Sequence, residues 1–322
     1  MITPLDIKTA YQNIKHDVYQ TPMVFSPELS NISGAKVYLK MEQLQHTGSF
    51  KIRGVLNKIH HIDKKKMDTP FVAASTGNHA AAFCYASEKF GFQGTLFLPK
   101  NINESKLKAL RHYKNIKKVF YGKNSVETET KASIYAKKTN GILIHPYNDA
   151  AIISGQGTIG FEIENQLPEV DAILVPIGGG GLISGIASYF KTHNKIDVIG
   201  CQPINAAEMY FSVKQGHILP PSTVETISDA TAGGIEEDAI TYTICKSLIK
   251  NFELSEEEPL KKAIAFMIKY HQTIIEPASA LSVSTILNTK KYANQNVVLV
   301  LTGKKINTPL LTEILNTYGN CY

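Results

Sequence analysis

Residues 47–54, TGSFKIRG, hold one lysine at the point where a strand-like stretch gives way to a helix-like one. Upstream, Lys36 to Met41 (KVYLKM) alternates as a strand does, and downstream Ile52, Val55, Leu56 and Ile59 recur at helical spacing. Lys51 therefore stands at a strand-to-helix junction. The helix dipole disfavours a cation there, which lowers the amine's pKa and enlarges its neutral fraction. A neutral amine can condense with an aldehyde. The same spacing also suits a solvated lysine in a basic first turn, so other stretches must decide between the two.

Working outward, an amphipathic helix is expected over residues 3–20, after Thr3 and Pro4. Beyond residue 36 strand-like and helix-like stretches alternate. FVAAS (71–75), a helix over 78–90, TLFLP (95–99), a helix over 104–113, IKKVFY, a lysine-rich helix to about 139 and ILIH succeed one another. DAILVP (171–176), DVIGCQ (197–202) and NVVLVLT (296–302) continue the theme. Such alternation predicts an α/β fold with open, twisted parallel sheets covered by helices on both faces. Residues 70–147 form a compact block that reads as a small domain inserted into a larger one made of 1–69 and 148–322.

Composition narrows the function classes. The chain has 322 residues, 43% hydrophobic and 19% charged, as a soluble globular protein does. Its net charge of +6 is dispersed, with Lys64 to Lys66 the longest run and no basic stripe interleaved with aromatics, so nucleic-acid binding is not expected. Cys84, Cys201, Cys245 and Cys321 lie far apart and form neither a disulfide framework nor a zinc motif. Met1 to Thr21 lacks an apolar signal core, and the apolar stretch Ala172 to Phe190 is broken by Pro176 and four glycines. A cytoplasmic protein without membrane spans is expected.

Three further clusters carry chemistry. STGNH (75–79) follows a strand and opens a helix, where backbone amides suit an anion, and Ser75, Thr76, Asn78 and His79 add polar groups fit for a carboxylate. An ordinary capped helix start is the other reading. In VPIGGGGLISGIA (175–187), Gly178, Gly179, Gly180 and Gly181 join an apolar strand to a helix. Four successive glycines are entropically costly for a bare turn, and an anion cradle explains them better. The spacing matches neither a P-loop nor a dinucleotide fingerprint, which favours a single phosphate. VLVLTGKK (298–305) brings Thr302 to the carboxyl end of a buried-looking strand, where ligands gather in parallel sheets.

Together, in this order, these clusters resemble the fold-type II pyridoxal-phosphate enzymes of the serine/threonine dehydratase and serine racemase group, which are similar in fold to the tryptophan synthase β chain. The resemblance runs almost end to end and includes KMEQLQHTGSFKIRG, ASTGNHA, HPYNDAAIISGQGTIGFEI (145–163), VPIGGGG and IIEPASA (274–280). It implies that Lys51 holds pyridoxal 5'-phosphate with Phe50 beside the ring. Gly178 to Gly181 and Leu182 would bind the phosphate, Asn78 the ring hydroxyl, and Thr302 the pyridine nitrogen. The substrate carboxylate would rest on Ser75, Thr76, Asn78 and His79, with Lys51 and Thr76 as the candidate catalytic groups. The implied activity is an L-threonine/L-serine ammonia-lyase, a homodimer, eliminating water from a hydroxyamino acid. A hydroxyl at Thr302 can donate to the pyridine nitrogen but not protonate it as a carboxylic acid would, which suits prompt elimination.

Departures from the group keep rivals in view. Thr76 stands where racemases of the group carry serine and many dehydratases alanine, so racemisation is the first alternative. The racemase cation site would fall on Gln202, Ala206 and Glu208, and the neutral Gln202 weakens a hard divalent ion, so no metal is expected. TGKK replaces the group's SGGN, and with ISDATAGGIEED (227–238) it resembles the hydroxyectoine-utilisation dehydratases. A catalytically silent metabolite-binding protein on the same scaffold is the alternative of another class.

Overall fold

The computed structural model describes residues 2–321 apart from 103, 124, 194 and 223. In chain order the strands are β1 (Met23–Phe25), β2 (Lys36–Lys40), β3 (Phe71–Ala74), β4 (Gly94–Leu98), β5 (Ile116–Phe120), β6 (Ile142–Leu143), β7 (Ala172–Pro176), β8 (Asp197–Pro203), β9 (Phe252–Ser255) and β10 (Asn296–Val300). Among the described residues they form a six-stranded sheet, β1-β2-β10-β7-β8-β9, and a four-stranded sheet, β5-β4-β3-β6. Every neighbour pairing is parallel except that of β1 with β2. The expected α/β class with two parallel sheets is the observed one. β4 and β7 are buried along their whole length, which is why they read as continuous apolar runs. No helix among the described residues is long and apolar enough to cross a membrane.

The first helix is shorter than its periodicity suggests, running from Pro4 to Ile14 behind a Thr3–Asp6 capping box. After Ile14 the chain turns, and Asp17 pairs with His60 and Lys89, both at 2.9 Å. The helix expected over 104–113 likewise ends at Leu110.

Lys51 opens the helix Lys51–His60, which lies against the helix Ala150–Gln166. Glycine makes the close approach possible, since a Cβ on Gly155 would sit 2.7 Å from the Gly54 Cα and 2.6 Å from the Arg53 carbonyl oxygen. The Ala150–Gln166 helix packs as tightly on the helix Gly181–Phe190, where a Cβ on Gly185 would lie 2.4 Å from the Ile153 carbonyl oxygen. Three helices that carry site residues or hold their carriers are thus locked backbone to backbone.

Below this stack sits a fully buried charge network. Arg53 grips Glu42 through Nε and Nη2, both at 2.8 Å, and Glu162 through Nη1 at 2.6 Å and Nη2 at 2.8 Å. Lys40 completes it, donating to Glu162 at 2.6 Å and to the Thr21 carbonyl at 2.8 Å. Burial opposes the guanidinium's charge, but Glu42 and Glu162 outweigh it and hold Arg53 protonated. Burial likewise raises Glu42, and Arg53 overcomes it, leaving the carboxylate below its usual range. Removing one member leaves the others buried without compensation. Arg53→Met is therefore expected to cost about 3–5 kcal/mol in guanidinium unfolding. A loss under about 1 kcal/mol, the scale of an exposed pair, would show that the network does not restrain the fold.

Candidate active site

The Lys51 side chain donates from Nζ to the Pro146 carbonyl at 2.8 Å and lies 5.3 Å from the centroid of the Phe50 ring. Burial brings its amine down to about 8, against the upward pull of Glu129 and Glu276. The shift runs in the direction expected from the sequence, with dehydration as its cause. The stretch TGSFK is tied to the end of β10 by the backbone. Phe50 N donates to the Thr302 carbonyl at 3.0 Å and Lys304 N to that of Gly48 at 3.1 Å.

The STGNH stretch leaves β3 and enters the helix Asn78–Phe90 with Gly77 at the N-cap and no side-chain cap. Ser75 Oγ accepts the Gly77 amide at 3.2 Å, and neither Ser75 nor Thr76 caps the helix that begins at Asn78. His79 is buried and bonds through Nε2 to the Ile144 carbonyl at 2.8 Å. Burial, with the nearby Lys51 charge, pushes its ring down to about 3. A neutral imidazole that spends its proton on Ile144 has no ring hydrogen left for a carboxylate. Its backbone amide, in the first turn, keeps one.

Gly180 has φ of 86°, the left-handed conformation, and forms the N-cap of Gly181–Phe190. Gly179 has another reason to be glycine, since a Cβ there would lie 2.4 Å from the Tyr147 ring. Thr302 Oγ1 stands 2.9 Å from Glu276 Oε1 and 3.0 Å from Ser279 Oγ. Glu276 is buried, and burial raises its carboxyl although Asn78 at 2.7 Å and Thr302 both donate to it. Asn78 spends Nδ2 on Glu276, and its Oδ1 is buried without a partner.

Phe50, Lys51, Ser75, Thr76, Asn78, His79, Gly178 to Gly181, Leu182 and Thr302 all line one cavity of about 1010 Å³. Lys304 and Lys305 line it too, and Lys305 reaches the Gly77 carbonyl at 3.4 Å. Lys106 and Asp229, paired at 2.8 Å, span it from two distant stretches.

Sequence reasoning missed Glu129, Glu276 and Tyr147. Glu276 and Tyr147 lie within quoted motif stretches, but a glutamate before Pro277 reads as a helix start and a tyrosine in a turn as packing. Glu129 sits in a helix rich in Glu and Lys, where nothing local separates it from a solvated neighbour.

The family described as pyridoxal-phosphate dependent enzyme matches residues 14–303. An L-threonine ammonia-lyase of Thermotoga maritima is 36% identical over 98% of this chain and 79% of its own length. A catabolic L-threonine dehydratase of Staphylococcus aureus is 34% identical over 96% of this chain and 91% of its own. The crystal structure of serine racemase from Dictyostelium discoideum is similar with a TM-score of 0.88 and 30% identity, covering 95% of this chain and 99% of that one.

The buried amine at residue 51 generates a direct expectation. In cofactor-free protein, the rate of reductive methylation at Lys51, followed by peptide mass spectrometry, should rise with pH through an inflection near 8. An inflection at the ordinary lysine value of 10.5 would mean that the amine is not dehydrated.

Proposed function

The chain belongs to the pyridoxal-phosphate dependent enzymes, and from that membership we propose that it is an ammonia-lyase for L-threonine and L-serine. The observation that carries the reading is the buried Lys51 amine, which shares one cavity with the glycine-rich helix start and the STGNH loop. The residues present suit the cofactor. Asn78 Oδ1 is a buried acceptor without a partner, as a ring hydroxyl needs. The amides of Gly178 to Leu182 gather at a helix N-terminus, as a phosphate needs, and Thr302 brings a hydroxyl for the pyridine nitrogen. The cavity has room for a cofactor and a small amino acid.

When bound, pyridoxal phosphate supplies an aldehyde for the substrate's amine and a conjugated ring that accepts the electrons left at Cα. This chain's residues do the rest. The Lys51 amine, oriented by the Pro146 carbonyl, takes the Cα proton. Hydroxyls of Ser75 and Thr76 and amides at the start of Asn78–Phe90 hold the carboxylate. Glu276 sets the direction of the Thr302 hydroxyl. A protonated Glu276 donates to Oγ1 and leaves the threonine hydrogen free, whereas an ionised Glu276 claims that hydrogen. Phe50 offers an apolar face beside the amine.

We also take residues 70–147 as a smaller domain that moves over the substrate held by 1–69 and 148–322, and the protein as a cytoplasmic homodimer. Its unpaired cysteines support a reducing compartment.

Purified protein supplied with cofactor should convert L-threonine to a 2-oxo acid and ammonia, and Lys51→Ala should lower that turnover by roughly 10²–10⁴-fold. D-amino acid appearing faster than 2-oxo acid would replace the proposal with a racemase. A protein that takes up no cofactor would replace it with a metabolite-binding scaffold.

No metal is part of this proposal. Gln202 Nε2 points at the carbonyl oxygens of Ala206 and Ile177, at 3.4 and 3.5 Å, while its Oε1 accepts the Tyr210 amide at 2.9 Å. An amide hydrogen thus faces the oxygens that a cation would require. Dialysis against EDTA should leave turnover unchanged, and a loss that magnesium or calcium restores would contradict this.

A further inference from the structure

Glu129, on the helix Ser125–Lys138, lines the same cavity as Lys51 and Thr76. Among the described residues no hydrogen bond or ion pair engages its half-buried carboxyl group. A carboxyl group left without a partner in a partly enclosed cavity loses some of its hydration and gains no ion pair in return, which favours its neutral form. Burial pushes it up to about 7, with repulsion from Glu236 and against the attraction of His145 and Lys51.

The neighbouring cluster explains which carboxyl group carries the charge. His145 Nδ1 accepts the amides of Tyr147 and Asn148, at 3.1 and 2.7 Å, so its proton resides on Nε2. From there it reaches Glu236 Oε1 at 2.9 Å, and Asn148 Nδ2 donates to Glu236 Oε2 at 2.8 Å. The His145 bond holds Glu236 below the usual carboxylate range. Two carboxyl groups in one neighbourhood are thereby driven apart, Glu236 kept as the anion and Glu129 as the acid.

Several of the other donors facing the cavity are committed or too weakly acidic, and Lys305, whose amine burial brings down to about 8, is turned to the Gly77 carbonyl at 3.4 Å. Lys51 is needed at Cα, His79 gives its ring proton to Ile144, and Lys106 is paired with Asp229. A threonine hydroxyl such as that of Thr76 is a far weaker acid than a carboxyl group.

We infer that Glu129 is the general acid of the elimination, giving its proton to the β-oxygen of the substrate as the Cβ–O bond breaks. The step balances. Lys51 receives the Cα proton, the former Cα–H electron pair becomes the new Cα–Cβ π bond, and the Cβ–O pair departs on oxygen. That oxygen takes the Glu129 proton and leaves as water, and the proton gained by Lys51 offsets the one lost by Glu129. The inference rests on the ammonia-lyase reading.

Its test compares leaving groups in Glu129→Gln holoenzyme. L-Serine must lose hydroxide, which needs a proton, whereas β-chloro-L-alanine loses chloride, which does not. Glu129→Gln should lower kcat/KM for L-serine by about 10²–10³-fold and change that for β-chloro-L-alanine by no more than about threefold. Glu129→Asp, which keeps an acid, should recover L-serine turnover by about tenfold or more over Glu129→Gln. Infrared spectra of the cofactor-free parent at about pH 6 should contain protonated-carboxyl absorption that Glu129→Gln diminishes. Equal losses on both substrates, no loss on L-serine, or an unchanged absorption would each overturn the inference. A parent protein that releases 2-oxo acid from neither substrate would overturn the ammonia-lyase reading and this inference with it.

Discussion

Everything about the site depends on Arg53, a guanidinium removed from water two residues beyond Lys51. Its planar fork ties together the turn that carries Glu42, the helix that carries Glu162 and its own helix, while Lys40 anchors the cluster to β2. A buried ion cluster adds little net stability over apolar packing, but it tolerates few alternative arrangements, because any misplacement strands a charge. Arg suits this better than Lys, since its donors emerge in fixed directions and meet two carboxylates at once. Lys51 is therefore held from below by charge and from the side by the Gly54–Gly155 contact.

The cluster is also electrically quiet. Lys40 and Arg53 balance Glu42 and Glu162, and Lys51 is lowered by burial against the pull of Glu129 and Glu276 instead. Structure and reactivity are thus separated over a short distance: four charges cancel to hold the backbone, and a few uncancelled groups face the cavity. Dehydration lowers the lysine and raises Glu129 and Glu276, moving bases and acids toward neutrality in the same enclosure. Proton transfer between such groups is easier than between fully solvated ones.

Much of this is legible in the sequence. The alternation of KVYLKM with the apolar spacing after Lys51 placed the lysine at its junction, because strand and helix periods differ and are read over a few residues. The glycine run points to an anion site through its entropic cost. Lys40 was not legible as a buried residue. Its partners Glu162 and Gln166 lie more than a hundred positions away, and a lysine in an alternating strand reads as solvent-facing. His79 was legible as a polar group near the substrate loop, but its ring is turned to Ile144 by a contact that no local pattern records.

The sequence by itself determined the order of elements and the parallel sheets, which follow from short-range period, whereas one site made of Lys51, the STGNH loop, Gly178 to Gly181 and Thr302 was what its resemblance to a known family implied. Tertiary structure alone decided which ionisable groups are dry and which are paired. That choice set Glu129 in the same cavity as Lys51, without a hydrogen-bond or ion-pair partner among the described residues, and Glu276 within reach of Thr302. The reason is physical: periodicity is a property of neighbours along the chain, whereas dehydration and charge pairing belong to neighbours in space.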